Sequence, residues 1–169
     1  IFRHSHIFGG DKASDENSAL SVWEKNKMAE KHQTTFTESL YAVPKNFPAC
    51  MRAQKVGKRA AKCGMDFLSP LSASEKLGEE TIELLKALQS EDKTAILEEA
   101  GDLLFSAVNT CRLAGVDCEQ ALAEATDKFI KRFEAFEKIA LADGKNLPDL
   151  CDEEYDWYWL QAKNAVKDN

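Results

Sequence analysis

Apolar residues recur along this chain at three- and four-residue spacing, and no segment sustains the alternation of a strand flanked by turns. The pattern predicts a succession of amphipathic helices. Residues 14–31 read as a first helix carrying Leu20, Trp23 and Met28, and residues 39–47 as a connector containing Pro44. Pro48 suits the first turn of a helix over 49–63, which Gly64 stops. Ser69-Pro70 opens the next connection, and Ser72 or Ser74 can cap a helix to about Gln89. After a short turn at 90–93, a helix runs to about Leu113 and ends at Gly115. Asp117 is a good N-cap for a fifth helix, with Ala121, Leu122, Ala125, Phe129, Phe133 and Phe136 on one side and Gly144 at its end. Asn146-Leu147-Pro148 marks a loop, and a last helix spans about 152–166. The expected fold is all-α: an antiparallel helical bundle with an N-terminal helical arm. The expected division is an arm and connector over 1–47 and a catalytic helical domain over 48–169.

Acidic residues break this pattern in two places. Glu79-Glu80-Thr81-Ile82-Glu83 and Glu98-Glu99-Ala100-Gly101-Asp102 both lie inside apolar-periodic runs. Glu80 and Glu83 are three apart, as are Glu99 and Asp102, so each pair shares a helix face. One such pair is usually a solvated face. Here Glu80 and Glu83 flank a stripe of Leu77, Leu84, Leu85 and Leu88, and Asp102 precedes Leu103-Leu104-Phe105. A carboxylate turned toward a core must be paired or hold a cation. Four carboxylates from two facing helices would form a hard oxygen site suited to Mg²⁺, with Mn²⁺ as a substitute. A di-iron bundle would need Glu-x-x-His pairs, and the histidines are His4, His6 and His32, all in the arm.

A magnesium site usually engages phosphates. Lys128 and Arg132, four apart on the Phe-rich fifth helix, offer a point charge and a fork for a polyphosphate. Lys131 lies beside them, and Gln54 and Lys55 lie on the second predicted helix. Asn109 follows Asp102 by two turns and suits a metal-bound water or a base edge, or equally a satisfied core amide. Trp157, Tyr158 and Trp159, with Lys163 four after Trp159, suit either base stacking or core and dimer packing.

The 169 residues suffice for one well-filled core, and the net charge of −7 argues against a general nucleic-acid surface. The five cysteines, Cys50, Cys63, Cys111, Cys118 and Cys151, are odd in number and lack a C-x-x-C pair. They read as reduced thiols of a cytoplasmic protein. No run suits a membrane span or a signal peptide. The chain starts at Ile1, which fits a processed form or a fragment of something longer.

Together these residues resemble the MazG-type nucleoside triphosphate pyrophosphohydrolases. Ala49-Cys50-Met51-Arg52-Ala53-Gln54-Lys55-Val56 resembles that family's A-L-M-R-A-Q-K-I helix. Glu79-Glu80-x-x-Glu83 followed by Glu99-x-x-Asp102 resembles its EExxE…ExxD motif. The run Gly101 to Asn109 and the run Lys128-Phe129-x-x-Arg132-Phe133 resemble two more of its segments. Arg3 to Phe8 and Trp23-Glu24 with Lys27 resemble the segment before the C-terminal domain of two-domain members. The resemblance implies an all-α homodimer that splits the α–β phosphate bond of nucleoside triphosphates, giving a monophosphate and pyrophosphate. It implies metal ligands at Glu80, Glu83, Glu99 and Asp102, with Glu79 as a further acidic member. It implies nucleotide contacts or support of activity at Lys128, Arg132, Trp159 and Lys163, and an upstream related domain. Cys50 replaces the family's leucine, Ser5 stands where proline is frequent, and Gly64-Met65-Asp66-Phe67 stands for G-F-D-W, so base preference stays open. The alternatives are a narrow dUTP or dCTP pyrophosphatase, a nucleotide-binding regulatory dimer with little turnover, and a structural dimerisation domain.

Overall fold

A computed structural model describes residues 35–166. The arm helix expected over 14–31 lies outside the described residues. Among the described residues there are six α-helices, one 3₁₀ turn and no strand. We number the helices α1 (Phe36–Tyr41), α2 (Ala49–Ala61), α3 (Pro70–Ser90), α4 (Lys93–Leu113), α5 (Cys118–Ala142) and α6 (Asp152–Ala165). The 3₁₀ turn is Leu147–Asp149. No helix among the described residues is long and apolar enough to cross a membrane.

The all-α reading holds, with local corrections. Helix α1 occupies part of the stretch read as connector. Thr35 caps it, and Glu38 returns a bond to the Thr35 backbone, closing a capping box too short for periodicity to reveal. Helix α3 is capped by Ser69 rather than Ser72 or Ser74. Pro70 takes the first helical position, where its missing N–H costs nothing, and Ser72 closes the reciprocal cap. Helix α3 ends at Ser90, followed by Glu91 at a left-handed φ of 56°, and Asp92 starts α4 by accepting from the Thr94 and Ala95 amides.

The chain divides into two compact units, one ending at Val116 and one starting at Asp117. In the first, α3 and α4 form a long helical hairpin, and α2 packs on α4. The α2–α4 contact is polar and close. Gly57 is buried there, and a Cβ on it would lie 2.6 Å from Asn109 Oδ1 and 3.0 Å from Arg112 Nε. Arg112, its side chain 7% exposed, donates through Nε to Asn109 Oδ1 (3.0 Å) and through its two terminal nitrogens to Asp66 (3.1 and 2.5 Å). Buried Gln54 donates to the Val116 carbonyl at 2.9 Å. The loop after α2 is thus fastened to the end of α4, since a buried guanidinium needs its partners placed.

In the second unit, α5 and α6 pack around Phe136, Ala140, Leu150, Tyr158 and Ala162. Gly144, at φ +73°, lets the chain leave α5 in a conformation that other residues adopt only with strain. Tyr158 keeps its hydroxyl satisfied inside this core by donating to Asp143 at 3.0 Å. All five cysteines are free thiols.

Candidate active site

The acidic motifs meet across the α3–α4 hairpin. One carboxylate oxygen each from Glu80, Glu83 and Glu99 lies within 4.8 Å of the others. Glu80 is buried, Glu99 half-buried and Glu83 exposed. Partial desolvation, and then the charges of Glu83 and Glu80, push the Glu99 carboxyl above its ordinary range. Glu98 and Asp102 add to this more weakly. Helix packing therefore holds together carboxylates that repel one another, an arrangement that a divalent cation relieves. The donors fit magnesium in kind: hard carboxylate oxygens from two facing helices, all within 4.8 Å of one another.

Asp102 lies one turn beyond Glu99 and is exposed, outside this close trio. The apolar run after it suggested a core-facing carboxylate. Leu104 and Phe105 beside it are themselves 66% and 41% exposed, so this stretch of α4 is not buried within the chain. Glu79 is exposed and pairs with Lys76 at 3.2 Å. Lys76 also meets Glu80 at 2.8 Å, and these bonds, Glu80 first, raise the lysine above its ordinary value. Sequence reasoning passed over Lys76, although the Lys-x-x-Glu-Glu spacing places all three on one face.

Asn109 lies on α4 with its Oδ1 accepting from Arg112, the arrangement described above. The structure gives Gln54, set beside Lys55 as a candidate phosphate partner, a buried bond to Val116. Lys128, Arg132, Trp159 and Lys163 all belong to the second unit. Lys128 and Lys163 are exposed, and Arg132 is half-buried with its Nε shielded from solvent. Trp159 packs against Phe129 and Phe136, ring centroids 5.5 and 6.0 Å away. These rings, with Phe133, Tyr155 and Asp156, line an open cleft of about 270 Å³.

Residues 68–136, which carry both acidic motifs, Asn109, Lys128 and Arg132, match the sequence model of the MazG nucleotide pyrophosphohydrolase domain. That stretch of the chain is similar to a MazG domain. A nucleoside triphosphate pyrophosphohydrolase of Escherichia coli K12 is 36% identical to this chain over 168 residues, or 98% of this chain and 64% of that protein. A nucleoside triphosphate pyrophosphohydrolase/pyrophosphatase MazG of Thermotoga maritima is 36% identical over 165 residues, or 98% of this chain and 62% of that protein. The Bacillus subtilis protein YabN is 38% identical over 168 residues, 99% of this chain but 34% of that protein. The chain thus spans less than two thirds of the length of each of these relatives.

Proposed function

We propose that this chain hydrolyses nucleoside triphosphates between the α and β phosphates, yielding a nucleoside monophosphate and pyrophosphate, with Mg²⁺ as the working ion. The observation that carries this reading is the approach of Glu80, Glu83 and Glu99 to within 4.8 Å across the hairpin, in a stretch that matches the MazG domain. The relatives named as nucleoside triphosphate pyrophosphohydrolases support the substrate class.

Glu80, Glu83 and Glu99, with Asp102 one turn on, would hold the ion, and Glu79 adds negative charge at the rim. When bound, Mg²⁺ supplies Lewis acidity to the triphosphate oxygens and to an attacking water. Lys128 and Arg132 offset charge that develops on phosphate, the arginine through its fork. Trp159 offers a ring face for a base, with Lys163 one turn further along α6. Asn109, placed by Arg112, is the remaining candidate for a contact to nucleotide.

The same chain is proposed to act as a symmetric homodimer. Ile82 and Leu85 on α3 and Leu97 and Leu104 on α4 are each more than half exposed, a larger apolar area than one hairpin leaves wet. A second copy presenting the same faces is the occupant. A monomer mass by light scattering at micromolar concentration would argue against it.

The deciding experiment measures pyrophosphate and nucleoside monophosphate from a panel of nucleoside triphosphates, with and without Mg²⁺. Release of orthophosphate and diphosphate instead would move the scissile bond. Equal turnover in excess chelator would reject the metal reading, and binding without turnover would favour a regulatory module.

A further inference from the structure

A buried carboxylate needs a counter-charge, and the side chain of Glu80 is only 7% exposed. The cation that meets it is Lys76, one turn earlier on α3, at 2.8 Å, with Glu79 held by the same ammonium at 3.2 Å. This pair is poorly explained as a helix staple. A lysine placed before its glutamate is the weaker order for an i,i+4 pair, and such pairs contribute little on a half-exposed helix. Its position against the carboxylate trio is the more telling feature. Glu80 is the one member of that trio that is buried.

We propose that Lys76 is the internal counter-ion of the carboxylate cluster and sets how tightly the cluster takes a divalent ion. The inference rests on the metal reading of the same site. Without a divalent ion, the ammonium offsets part of the repulsion among Glu80, Glu83 and Glu99. An ion that takes Glu80 competes with Lys76 for that carboxylate, and the ammonium then stands beside a like charge. Lys76 therefore weakens ion binding, and the site fills only when ion is plentiful or arrives with the negative charge of a triphosphate. Once released from Glu80, the same ammonium is at hand for a phosphate oxygen.

The test is a Mn²⁺ titration of the full chain, followed by the electron paramagnetic resonance signal of free Mn²⁺, with no nucleotide present. The proteins are wild type, Lys76→Met, Lys76→Gln and Glu80→Gln, each checked for helicity by circular dichroism. For a unit charge a few ångströms from a divalent ion in a watery setting, removing Lys76 should tighten Mn²⁺ binding by roughly three- to thirty-fold. Glu80→Gln should weaken it. Unchanged or weaker Mn²⁺ binding in the folded Lys76 variants would overturn the counter-ion role; if one of the two fails to fold, the other decides. Equal affinity in Glu80→Gln and wild type would place the ion elsewhere and overturn it as well. No Mn²⁺ uptake at millimolar concentration by wild type or by either folded Lys76 variant would reject the metal site itself, and the inference with it.

Discussion

The α2–α4 contact holds one helix of the hairpin that carries the site, and Gly57 makes a close approach there. Replacing Gly57 with alanine puts a methyl 2.6 Å from Asn109 Oδ1, well inside contact distance. The amide is the far end of a side chain and can move. Moving it breaks its 3.0 Å bond from Arg112 Nε, in a side chain only 7% exposed. A hydrogen bond from a charged donor typically contributes about 1.5–3 kcal/mol. Alanine returns about 1 kcal/mol of helix propensity over glycine. The net expectation is a loss of about 0.5–2 kcal/mol, or a fall in Tm of about 1–8 °C for a chain of this size. Urea and thermal unfolding of wild type and Gly57→Ala would read it directly. The same substitution made in an Asn109→Ala background should cost less or even stabilise, because the atom in the way is gone. A Gly57→Ala protein more stable than wild type by the full propensity gain would show that this contact has slack.

Three further outcomes follow from the site and its supports. Glu83→Gln and Asp102→Asn should each abolish Mg²⁺-dependent pyrophosphate release while circular dichroism stays native; full turnover by either would remove that residue from the ligand set. Arg132→Ala should lower kcat/KM by roughly ten- to hundred-fold, the loss of one charge-assisted phosphate contact, and Arg132→Lys should recover only part; steady-state kinetics on the nucleoside triphosphate decide it, with unfolding run alongside because Arg132 is half-buried. The Arg112 guanidinium holds the Asp66 carboxyl below its ordinary 3.8, so the pair stabilises the fold above that value and loses this as pH falls through the lowered one. Asp66→Asn should flatten that acid limb of a stability–pH curve and lower stability near neutrality by about 1.5–3 kcal/mol; an unchanged acid limb would count against the pair.

Much of this was legible in the chain because it depends on local spacing. Helix period, the stops at Gly64, Gly115 and Gly144, and the Asp117 cap are set by backbone preferences within a turn or two, and they carry over into the structure. The two acidic motifs were legible for the same reason: i,i+3 carboxylates must share a face whatever the fold. Which of those carboxylates converge was not. That Glu80, Glu83 and Glu99 meet while Asp102 stays outside the trio depends on the rotation of α3 against α4, which no single helix encodes. The roles of Gln54 and Asn109 were hidden likewise. A polar side chain on a helix face carries no label for its partner, and Val116, 62 positions from Gln54, becomes that partner only when α2 lies on α4. Arg112, in the last turn of α4, drew no notice in the sequence, and it is buried only because the hairpin and the loop after α2 close around it. Sequence set the helices and the stock of charges, because those follow from neighbours along the chain. Tertiary packing alone decided which charges are buried, because burial is a property of the surfaces that helices present to one another.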